Sequence, residues 1–97
     1  MKTTFSFFIS TLTLQASIFL GHIPNPATNK KEENLTQAGF IIDTLDMIKE
    51  KTKNNLTADE QKLIDNALYE LRIQYLALTK KKEENPDTEK DNKETSQ

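Results

Sequence analysis

Apolar side chains recur at spacings of three and four in three windows of this chain. In the first, Phe5, Phe8, Ile9, Leu12, Ala16, Phe19 and Leu20 share one face. In the second the stripe is Leu35, Ala38, Ile41, Ile42, Leu45 and Ile48. In the third it is Leu63, Ile64, Ala67, Leu68, Leu71, Tyr75 and Leu78. This is the period of an amphipathic helix, and it predicts helices over about 4–20, 35–53 and 58–80. Burying each large side chain contributes roughly 1.5–3 kcal/mol, so the stripes read as core. Two helices alone make a thin core, and the first window is the remaining apolar surface that can complete it. The expected fold is all-α, with three helices: an N-terminal apolar helix packed on an antiparallel helical hairpin.

Local signals mark the helix ends. Thr3 or Thr4 can cap the first helix, and Gly21 stands just past its end. Asn34, with Gln37 three residues on, marks the second start. Thr57-Ala58-Asp59-Glu60 is a full capping box, in which hydroxyl and carboxylate each satisfy one orphan amide. Lys49, Lys51 and Lys53 crowd the end of the second helix, where the dipole favours positive charge. Asn54-Asn55 follows, and asparagine tolerates the left-handed conformation that stops helices. So short a turn makes the two helices antiparallel neighbours. Residues 21–34 form a polar connector, whose Pro24 and Pro26 are expected to lead it back in extended form. From Lys80 onward there is no aliphatic or aromatic side chain. Residues 80–97 are therefore expected to be a disordered charged tail behind a domain of residues 1–79.

A second, narrower apolar line remains on each helix once the core stripe is removed. It is Phe7, Leu14 and Ile18 on the first, Phe40 and Met47 on the second, and Tyr69, Ile73 and Leu76 on the third. A domain this small cannot bury two faces of every helix. Contiguous exposed apolar surface marks association, so these eight residues form the candidate interaction surface. The expected partner is a second copy or another helical protein, with a two-fold dimer the commonest geometry.

The first apolar run admits other readings. A secretory signal, a membrane anchor and a core helix all begin with such a stretch. Lys2 is a minimal basic start, but no small-x-small cleavage pair follows the run. Six of its residues from Phe5 to Leu20 are polar (Ser6, Ser10, Thr11, Thr13, Gln15 and Ser17). A membrane span wants about twenty predominantly apolar residues. The pattern favours the core helix and a cytoplasmic protein; the alternative is an exported or membrane-peripheral protein with residues 1–20 as signal or anchor.

Composition narrows the chemistry. The chain of 97 residues is 29% charged with a formal net charge of -2, which supplies no basic field for nucleic acid. It has no cysteine, so no disulfide, thiolate metal site or cysteine nucleophile is available. His22 is the single histidine, and nothing in the spacing names a nucleophile for it to activate. It reads as a polar cap on the preceding helix end. Asp43, Asp46 and Glu50 share a face and could approach a hard cation, but Lys49 and Lys53 lie beside them, and an ion-paired face is the plainer reading. Tyr69 and Arg72, opposite Asp65, read as a structural cluster. The sequons at Asn34 and Asn55 overlap helix caps. No phosphate loop, HExxH pair or GxSxG elbow is present. No enzyme, cofactor or metal is expected; a small ligand-binding or catalytic role would rest on His22 and the acidic residues.

Three stretches carry a family resemblance: the connector from Leu20 to Pro26, "IDTLDMIKEKTKNNLT" from Ile42 to Thr57, and "LYELRIQYL" from Leu68 to Leu76. Over about residues 5–79 the chain resembles the small bacterial family called domain of unknown function 1844. Asn54 stands where the family is expected to have glycine. The resemblance implies that the N-terminal run belongs to the domain. It implies no activity and carries over no catalytic residue.

Overall fold

The computed structural model describes residues 3–84. Thr4 opens α1 (Phe5–Phe19), its hydroxyl accepting from the Phe7 N–H at 3.0 Å. Within α1, the hydroxyls of Thr11 and Thr13 donate back to the carbonyls of Phe7 and Ile9. The polar interruptions are thus satisfied inside the helix rather than opposed to it. The helix ends in a Schellman arrangement. Gly21 takes a φ of 81°, and the N–H groups of Gly21 and His22 donate to Ile18 and Ser17. Glycine is needed there because a Cβ would be strained at positive φ. His22 caps through its backbone, while its side chain stands exposed.

The connector does not run extended; it folds on itself. Leu20 pairs with Glu33, and Asn25 with Lys30. Asn25 holds the inner turn. Its Oδ1 accepts from the Ala27 N–H at 2.8 Å, and its carbonyl accepts from the Asn29 N–H at 2.6 Å. Asn29 sits at a φ of 61°. These local bonds to asparagine outweigh the extension that the flanking prolines favour. The connector ends where it began, because the Asn34 N–H donates to the Phe19 carbonyl at 2.7 Å.

That bond alters the second cap. Asn34 Oδ1 accepts from the Gln37 N–H at 3.1 Å and opens α2 (Leu35–Lys51). Gln37 does not reciprocate, since the N–H it would accept from is already used. After α2 the chain turns through Asn54, at a φ of 69°. Thr57 then opens α3 (Ala58–Glu84) with both halves of its capping box formed: the Thr57 N–H to Glu60 Oε1 at 2.9 Å, and the Glu60 N–H to Thr57 Oγ1 at 3.1 Å. The expected stop near Lys80 is wrong. The helix continues through Glu84, because a packed helix propagates cheaply into lysines and glutamates, which are good helix formers. The remainder of the expected tail, residues 85–97, lies outside the described residues.

Each helix contacts both others. Ile9, Ala16 and Leu20 meet Ala38, Ile41, Ile42 and Leu45 from α2, and Ile64, Ala67, Leu68 and Leu71 from α3; all are buried. Phe5, Leu12, Phe19, Leu35, Ile48, Leu63, Tyr75 and Leu78 pack around them, partly covered. The N-terminal apolar run is therefore a core helix in this fold. No helix among the described residues is long and apolar enough to cross a membrane. One expected core residue is not core: Phe8 is 45% exposed. It lies about 100° round the helix from the fully buried Ile9, at the margin of the stripe.

Candidate interaction surface

Two ion pairs hold the outside of the α2–α3 hairpin. Lys49 Nζ meets Asp65 Oδ1 at 2.9 Å, and Arg72 Nη2 meets Asp46 Oδ1 at 2.9 Å. Gln61 Nε2 also donates to Asp65, at 3.2 Å. The hydrogen bond from Lys49 holds the Asp65 carboxyl below its ordinary range, and Gln61 and the Lys49 charge add to this, while desolvation opposes it. The cluster expected of Tyr69, Arg72 and Asp65 does not form, because the facing helix offers each charged group a closer partner. Asp46 is likewise drawn from Asp43 and Glu50 to Arg72. Among the described residues no group of three His, Cys, Asp or Glu side chains could hold a metal ion.

Seven of the eight candidate interaction residues are exposed. Phe7 and Leu14 stand out from α1, Phe40 and Met47 from α2, and Tyr69, Ile73 and Leu76 from α3. Ile18 is only half-buried to solvent; it lies in the last turn of α1, against which the connector folds back. Ile23, in that connector, is exposed and was not among the candidates. Because every helix turns its core stripe toward the other two, the second lines lie on the outside of the bundle.

Two grooves flank α3. One, of about 450 Å³, runs between α1 and α3 and is lined by Leu14, Ile23, Leu63 and Ala67 with Ser10, Ser17 and Glu70. The other, of about 300 Å³, lies between α2 and α3 and is lined by Gly39, Ile42, Asp43, Arg72, Tyr75 and Leu76. Gly39 forms the hollow of the second groove. A Cβ added there would stand 3.4 Å from the Tyr75 hydroxyl and 3.6 Å from its ring. The sequence carried one signal for this hollow: a glycine inside a strongly helical window, which costs stability unless something needs the space.

No curated protein and no solved structure matches the chain. The family described as Domain of unknown function (DUF1844) matches it over residues 2–77, from the N-terminal apolar helix through most of α3. With α1, α2 and most of α3 inside that span, the chain belongs to the DUF1844 family.

Proposed function

We propose that this protein is a non-enzymatic helical module that works by binding protein, either a second copy of itself or a helical partner. The observation that carries this reading is the set of large apolar side chains left in solvent by a folded core: Tyr69 is 66% exposed, Phe40 65% and Leu76 63%. Singly exposed apolar residues are ordinary, but here they recur along the outward side of every helix. Against catalysis stands the site chemistry itself. The single histidine is exposed, and Asp46, the middle carboxylate of the Asp43, Asp46 and Glu50 face, is committed to an ion pair with Arg72. In this reading the module works in the cytoplasm; what supports it is that α1, the run with a signal-like composition, is packed into the core.

The test is the mass of the full chain in solution across concentration, by sedimentation velocity, paired with cross-linking in the cell of origin. The expected result is a species heavier than the 11.1 kDa monomer, or a defined cross-linked complex, lost when Phe40 and Leu76 are both replaced by serine while the helical circular dichroism is kept. A monomer throughout, with no complex in the cell, overturns the proposal.

A further inference from the structure

The α2–α3 groove has the properties of half of a two-fold interface. An isologous contact requires one surface to carry both a projection and the recess that receives it. Here the projection is Leu76, largely exposed, and the recess is the adjoining hollow over Gly39, floored by Ile42 and Tyr75. The same surface carries one acid and one base. Asp43 makes no ion pair among the described residues, and Arg72 spends a single nitrogen, Nη2, on Asp46. The remaining donors of a guanidinium are free for a second carboxylate.

Helix geometry makes the surrounding surface apolar. Residues three and four apart are neighbours on a helix face. Phe40 and Met47 therefore stand one turn to either side of Asp43, and Tyr69 one turn before Arg72; all three are exposed. A stable interface buries about 800 Å² on each partner. The groove with its apolar border concentrates such surface around a recess. Residues 85–97 have no aliphatic or aromatic side chain with which to fill it.

We infer that the α2–α3 face binds a second copy of this chain about a two-fold axis. Leu76 of each copy fills the Gly39 hollow of the other, and Asp43 of each meets Arg72 of the other. This rests on the association reading above and names its surface and partner.

Charge reversal in the full chain tests it. The variants Asp43→Arg and Arg72→Asp each set like charges face to face and are expected to sediment as monomers. Mixed one to one, they are expected to give a dimer, since every facing pair is then opposite in charge. Gly39→Ala supplies a control for folding. The methyl replaces a helix glycine and meets only the end of the Tyr75 side chain, so thermal stability of the monomer rises. It also encroaches on the recess, so dimer affinity falls by about tenfold or more, the effect of over-packing a filled site. Wild type that stays monomeric at high concentration overturns the inference. So does a dimer indifferent to both reversals, or a mixture that does not reassociate. A dimer indifferent to the reversals leaves the association module standing on another face; a wild-type monomer that still yields a defined complex in the cell leaves it standing with a different partner.

Discussion

At the scale of the residue, Asp65 shows how the hairpin is tied outside its core. Its carboxylate is held by Lys49 from the facing helix and by Gln61 from its own. The folded state therefore lowers its proton affinity. A lowered carboxyl contributes stability that is fully present above its unfolded pKa, and that contribution is lost as pH falls through the lower folded value. Asp65 is accordingly expected to titrate below the ordinary aspartate value of about 3.9 in a carbon-detected NMR titration. In Lys49→Met the midpoint is expected to rise toward that value; an unchanged midpoint would show that the pair is not the cause. Both side chains remain partly in solvent, so little stability is expected from the pair itself.

At the scale of the element, helix starts are decided within four residues of chain. Thr57 and Glu60 exchange two hydrogen bonds across the first turn of α3. Thr57→Ala removes one of them and is expected to cost about 1 kcal/mol in chemical denaturation; a loss near zero would mean that water replaces the cap at no cost. Such caps were legible in the sequence because donor and acceptor are three residues apart and nothing distant intervenes. Asn34 marks the limit of that legibility. Its side chain caps α2 as expected, but its N–H goes to Phe19, fifteen positions earlier in the chain, so Gln37 has nothing to accept. The end of α3 was misplaced for a related reason. Composition says that Lys80–Glu84 has nothing to bury, whereas helix continuation depends on the packed turns before it.

At the scale of the whole molecule, three helices close one small core, and none of them is spare. Ile9 of α1 is fully buried among residues of the other two helices. Ile9→Ala is expected to cost about 2–5 kcal/mol, a large share of the 5–15 kcal/mol typical of a folded domain. Ile9→Asp, which puts an unpartnered charge in the core, is expected to abolish the cooperative thermal transition. A variant that still unfolds cooperatively at the wild-type midpoint would show that α1 is dispensable to the fold. The same closure leaves the second apolar lines facing outward. In the proposed association, what matters is which groove they border, not how many they are.

The sequence by itself determined the three helices, nearly all of their buried stripes, the caps at Asn34 and Thr57, a choice of Thr3 or Thr4 for the first cap, and the positive-φ stops at Gly21 and Asn54. These follow from a 3.6-residue period and from hydrogen bonds spanning three or four residues, both of which are written in consecutive letters. Tertiary structure decided what depends on the neighbour across the gap. It left Phe8 at the edge of the core, half-covered Ile18, and paired Lys49 with Asp65 and Arg72 with Asp46. It also set Leu76 beside the hollow over Gly39. A single helix cannot specify any of these, because the partner atoms arrive from another part of the chain only after the helices have packed.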